Sequence, residues 1–144
     1  MASIERQTTI GAPAEKVFKY VADISRHGEW AAHRLEIEQS SQGPIAVGST
    51  FTSVGHEMGT HRGQVTVTEF VPSSKLVFEA EDDTGRFRHH FLLQAEGGGT
   101  RLTKGVEPLR WSLMFKLLSP VATAFLFPRG LDGDLQRIKA KLEG

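Results

Sequence analysis

Residues 3–10 alternate between polar and apolar side chains and are rich in Thr and Ile, a two-residue period that predicts a strand. Gly11-Ala12-Pro13 ends it. Val17, Phe18, Tyr20 and Val21 then recur at helical spacing. That spacing predicts a short helix over 13–22, with Pro13 in the first turn, where a missing N–H costs nothing. Asp23 is placed to cap a second short helix that carries Ile24 towards Trp30. From residue 33 the period becomes two. Strands are expected over 33–40, from Gly48 onward, and over 61–71, 75–81, 86–95 and 100–106. Leu76, Phe78 and Ala80 share a face, as do Phe87, His89, Phe91 and Leu93, and then Leu102, Lys104 and Val106. Short turns such as Pro72-Ser73-Ser74 and Gly97-Gly98-Gly99 join these segments. The result is an antiparallel meander with one apolar face that needs a cover.

The C-terminal segment supplies the cover. Leu131, Leu135, Ile138 and Leu142 recur every three or four residues and form one apolar stripe. Residues 111–127 are apolar all round, with Lys116 the one charge. A helix that covers a sheet needs only a stripe, so the excess asks for a second burial partner or for loop cover. A lipid-like ligand, a dimer mate and a membrane surface are the partners considered. Pro120 and Pro128-Arg129-Gly130 are expected to interrupt this long helix, with the division at the second site.

Composition narrows the function classes. The 144 residues suit one domain, taken as 1–144. Lys plus Arg and Asp plus Glu both number 17, a balance that disfavours a general nucleic-acid binder. Without cysteine there can be no disulfide, zinc–thiolate site or thiol nucleophile. The N-terminus lacks a signal-peptide pattern and no run is long enough to span a bilayer, so a cytoplasmic location is expected. No nucleophile elbow, P-loop or dinucleotide fingerprint occurs.

A series of short phrases sits in this frame. Ile10-Gly-Ala-Pro-Ala-Glu-Lys-Val17-Phe18, Asp23 to Trp30, Val47-Gly48-Ser-Thr-Phe51, Val67-Thr-Glu-Phe-Val-Pro72 with Lys75-Leu76, and Gly99-Thr-Arg-Leu-Thr103 occur in order along nearly the whole chain. Together they resemble the START-like superfamily, in particular its polyketide cyclase/dehydrase and lipid-transport members (SRPBCC). The resemblance implies an α+β helix-grip fold: a curved antiparallel sheet of six to seven strands, two short helices and a long C-terminal helix around an apolar cavity. It implies no single chemistry, because the superfamily includes carriers, receptors and cyclases and has no universal catalytic motif.

Strand parity picks out the candidate residues. Phe51, Phe78, Phe87 and Phe91 project onto one face and are the expected floor of a pocket, or of a filled core. Trp30 is expected in its wall or in the core. His89 shares the Phe87/Phe91 face, where an imidazole could orient a ligand hydroxyl or carbonyl, pack as a satisfied core histidine, or move a proton. No partner base or nucleophile is identifiable, so His89 is only a weak catalytic candidate. Lys104 could bind a ligand carboxylate or phenolate, although snorkelling to the sheet edge is the preferred reading. Met114, Phe115 and Leu118 are taken as ligand contacts from the covering helix. Glu69 has inward parity but is expected to be exposed. His56-Glu57 and His61 do not have metal-motif spacing, and no metal or cofactor is expected. The leading function is binding or carriage of a hydrophobic small molecule: a lipid, a quinone or a polyketide-like aromatic. Aromatase/cyclase or dehydratase action is the first alternative. A membrane or protein adapter working through 111–127, as a homodimer or peripheral membrane contact, is the second.

Overall fold

The computed structural model describes residues 3–57 and 59–144. Seven strands form one antiparallel sheet: β1 (Ile4–Ile10), β2 (Arg34–Gln39), β3 (Thr50–His56), β4 (Thr60–Val71), β5 (Lys75–Asp82), β6 (Gly85–Glu96) and β7 (Gly99–Trp111). Their order is β1-β7-β6-β5-β4-β3-β2, a meander from β2 to β7 with β1 added at the β7 edge. The last strand runs well past its expected end at 106, so Trp111 belongs to the sheet and not to the covering helix. The β6–β7 turn needs left-handed backbone at two successive positions. Gly97 (φ 54°) and Gly98 (φ 86°) provide it without a Cβ clash.

Parity places Phe51, Val65, Val67, Leu76, Phe78, Phe91, Leu93, Leu102 and Val106 on the inner face, all buried. A register shift between Val67 and Glu69 turns the alternation over. A β-bulge of this kind adds a residue to one strand and re-aims the side chains beyond it. Phe70 thereby joins the core, and Glu69 stands on the outer face beside Lys75, 3.0 Å away. The inward parity read for Glu69 is corrected by this bulge, which no local signal in the sequence announces.

Helix α1 (Ala14–Val21) starts after Pro13, which is the cap residue and not a member of the first turn. It buries Val17, Phe18 and Val21 against the sheet. The 3-10 helix Ile24–Glu29 starts at Asp23, whose carboxylate accepts from the Ser25 hydroxyl (2.8 Å) and caps no backbone N–H.

The C-terminal cover has α2 (Leu113–Lys116), α3 (Ser119–Val121), a π-helical turn (Ala122–Leu126) and α4 (Phe127–Glu143). The interruption lies between α2 and α3 and in the π turn. It does not lie at Pro128-Arg129-Gly130, which α4 traverses. Pro128 lacks an N–H and its ring would strike the carbonyl four residues earlier, and a widened π turn just upstream accommodates both. From Leu131 on, α4 buries Leu131, Leu135 and Ile138. Its end is tied down by Lys139, which donates to the Thr9 carbonyl (2.6 Å), and by Glu143, which accepts from the Gly11 N–H (2.7 Å).

Candidate ligand site on the inner face

The inner face has a packed end and a half-open end. At the packed end, the 3-10 helix sets His27 three residues after Ile24, so both face the sheet and are buried. His27 Nε2 donates to the Val21 carbonyl (2.7 Å), which fixes the neutral tautomer. Burial pushes its pKa down to about 4, and the Lys104 charge adds to this. Its ring lies 4.6 Å from Trp30, 5.7 Å from Phe78 and 6.0 Å from Phe91. Trp30 and Phe91 meet edge to face at 6.0 Å. These rings fill the volume where a chamber enclosed by sheet and helix is expected.

Lys104 enters this aromatic group from β7. It is 5% exposed, and its ammonium lies 5.4 Å from the Trp30 ring centre and 5.6 Å from that of Phe91. Snorkelling is therefore not what happens: Asp134 of α4 stands 3.3 Å away and gives the charge a partner indoors. Burial lowers the Lys104 pKa and the Asp134 carboxylate opposes that shift. Arg137 donates to the other Asp134 oxygen (2.9 Å) and to the Trp30 carbonyl, tying α4 to the 3-10 helix. The Trp30 indole N–H is buried without a hydrogen-bond partner among the described residues.

The half-open end begins at His89. Its ring stacks on Phe78 at 5.0 Å with planes 15° apart, and no described residue hydrogen-bonds either ring nitrogen. Burial pushes its pKa down to about 3, helped by the charge of Lys104 and then by His27 and His90. The imidazole is neutral at pH 7, with one N–H to donate and one lone pair to accept. Beyond it, Ala80 and Phe87 are only partly buried. Phe87 meets Trp111 at 5.1 Å and Phe127 at 6.0 Å, and Trp111 stacks on Phe127 at 5.8 Å. Three partly buried aromatic rings thus join the end of β7 to the start of α4 beside His89.

The structure brings Trp30, Phe78, His89, Phe91 and Lys104 together, with Phe51 in the same core and Phe87 at its rim. It does not bring in Met114 or Leu118, which face solvent. Phe115 packs edge-on at 6.1 Å against His61 of β4. His61 itself lies 2.6 Å from Asp83 and 3.0 Å from the Glu57 carbonyl, while His33 meets the Glu57 carboxylate at 3.0 Å. Among the described residues no three His, Cys, Asp or Glu side chains converge as metal ligands. Two open hollows of about 420 and 240 Å³ lie on the outer face, the first reaching Gln94, Arg101 and Thr103 and the second Val77, Arg88 and His90. Sequence reasoning missed His27, Trp111, Phe127 and Asp134. The i, i+3 spacing of Ile24 and His27 was a readable signal; Asp134 could be found only through its distance from Lys104.

A family model described as polyketide cyclase / dehydrase and lipid transport matches residues 1–143. The chain belongs to this family. The fold recurs in TTHA0849 from Thermus thermophilus (18% identity, TM-score 0.78, 98% of this chain and 97% of that one) and in CV1439 from Chromobacterium violaceum (17%, 0.74, 100% and 99%). It recurs also in the di-domain ARO/CYC StfQ of the steffimycin biosynthetic pathway, at 13% identity and TM-score 0.74 over 98% of this chain and 50% of that one. At these identities the likeness shows the helix-grip fold. No curated protein matches the chain.

Proposed function

We propose that this family member binds a hydrophobic, partly aromatic small molecule at the half-open end of the inner face, with His89 as its polar contact. The observation that carries the reading is His89 itself: a neutral imidazole on an apolar floor, stacked on Phe78, with no described hydrogen-bond partner for either nitrogen. His89 is only partly buried, so its ring is open at this end of the face to a ligand hydroxyl or carbonyl. Phe87, Trp111 and Phe127 offer rings to stack on an aromatic ligand. The family itself, which joins polyketide cyclases and dehydrases with lipid transport, supports a hydrophobic ligand class. Cyclase chemistry has less support, because an imidazole held near pKa 3 is a weak proton acceptor at neutral pH.

The test is fluorescence titration with 1-naphthol and with naphthalene, which differ by one hydroxyl. Both are expected to bind, and His89→Phe is expected to weaken 1-naphthol by roughly fivefold, the worth of one neutral hydrogen bond, while sparing naphthalene. Binding of neither probe, or equal loss of both, would refute the role of His89.

A further inference from the structure

The segment just before α4 is the most exposed apolar part of the chain. Leu113, Met114 and Leu117 are 88%, 78% and 87% exposed, and Leu118, Val121, Phe125 and Leu126 are exposed as well. Leu113, Leu117, Val121 and Phe125 recur every fourth residue, and all four are exposed. The segment is nevertheless held in place. Ser112 Oγ accepts from the Phe115 N–H (3.3 Å), Phe115 packs on His61, and Ala122 is buried. A fixed projection that exposes seven large apolar side chains has a partner.

Charge selects the partner. Residues 108–131 contain Arg110, Lys116 and Arg129 and no acidic residue, whereas the whole chain is neutral at 17 against 17. The acidic residues that flank this stretch are already engaged, Glu107 by Arg88 at 2.9 Å and Asp132 by Arg6 at 3.5 Å, as is Glu81 by Arg110 at 3.2 Å. Lys116 and Arg129 are exposed and have no ion-pair partner among the described residues. Exposed leucines, methionine and phenylalanine edged by unpaired cations match the interfacial zone of an anionic bilayer, where apolar side chains enter the acyl boundary and cations meet headgroups. Among the described residues no helix is long and apolar enough to cross a membrane, so the contact is peripheral.

We infer that Leu113–Leu126 is a docking surface for anionic lipid membranes. The inference does not depend on the ligand proposed for the inner face. Co-sedimentation of the full chain with phosphatidylcholine vesicles, and with vesicles containing one-third phosphatidylglycerol, tests it. Binding to the anionic vesicles is expected, weakened by salt and by Lys116→Glu with Arg129→Glu. Leu113→Glu with Leu117→Glu is expected to weaken it by roughly a hundredfold. Both pairs of side chains are solvent-facing, and unchanged thermal melting would show that the fold is intact. No binding to the anionic vesicles, equal binding to neutral ones, or binding indifferent to the leucine substitutions would overturn the inference. So would a dimer in gel filtration that the leucine substitutions dissociate, because the occupant would then be a second copy.

Discussion

The two ends of the inner face are built from the same alternation yet finish differently. On β6, Phe91 and Leu93 are sealed beneath α1 and α4, whereas Phe87 and His89 on the same side of the same strand remain partly open. The difference comes from what lies across the sheet. From Leu131 onward α4 presents a regular apolar stripe, and the 3-10 helix adds His27 and Trp30. Before Phe127 the chain is broken into α2, α3 and a π turn, where Phe115 packs on His61 and Ala122 is buried but most of the large apolar side chains face solvent. Alternation therefore determines which residues face inward, and only the covering element determines whether they are core or site.

The largest expected contrast is between the two phenylalanines. Phe91→Ala removes a fully buried ring and is expected to cost about 3–5 kcal/mol in urea unfolding. Phe87→Ala, at the half-open end, should cost clearly less, about 1–2 kcal/mol, because solvent can reach the vacated space. Equal costs would show that the open end is as packed as the closed one.

Next comes the ion pair that roofs the packed end. Asp134→Ala strands the Lys104 ammonium among Trp30 and Phe91 and is expected to destabilise by about 3 kcal/mol. Replacing both partners, as Lys104→Met with Asp134→Asn, should restore most of that loss. A double variant as unstable as the single one would mean that Asp134 acts mainly through Arg137.

Acid should weaken the inner face at both ends. His27 and His89 have folded pKa values lowered to about 4 and about 3, below the ordinary value of 6.5. Between pH 6.5 and 4 the unfolded chain binds more protons, so stability is full above pH 6.5 and falls as pH drops through that window. The His27 contribution is on the order of 3 kcal/mol. His27→Leu should flatten the slope of stability against pH, and an unchanged slope would place the acid sensitivity elsewhere. The smallest effect is expected for Leu117→Ser in the exposed segment, within about 0.5 kcal/mol of the parent.

Much of this was legible in the residue pattern. The strands, the two short helices, the inward set Phe51, Phe78, Phe87, His89 and Phe91, and the family resemblance all rest on local periodicity and short phrases, which a strand or helix expresses directly. The features that were not legible depend on distance in space. The Glu69 reversal needs the bulge, Lys104 needs Asp134 from a different element, and Pro128 needs the π turn before it. The all-round apolar character of 111–127 points Met114 and Leu118 at a ligand, and only the broken path of 113–126 shows them facing solvent.

The most direct test of the account is where an apolar ligand sits. In an NMR titration with 1-naphthol, using ¹⁵N-labelled histidine and ¹³C-labelled aromatic side chains, the expected result is saturable shifts of the His89 ring nitrogens and of the Phe87, Trp111 and Phe127 rings, with Phe51 unmoved. Shifts confined to the outer-face hollow at His90 and Leu92, or to Leu113–Leu126, would contradict a binding site on the inner face.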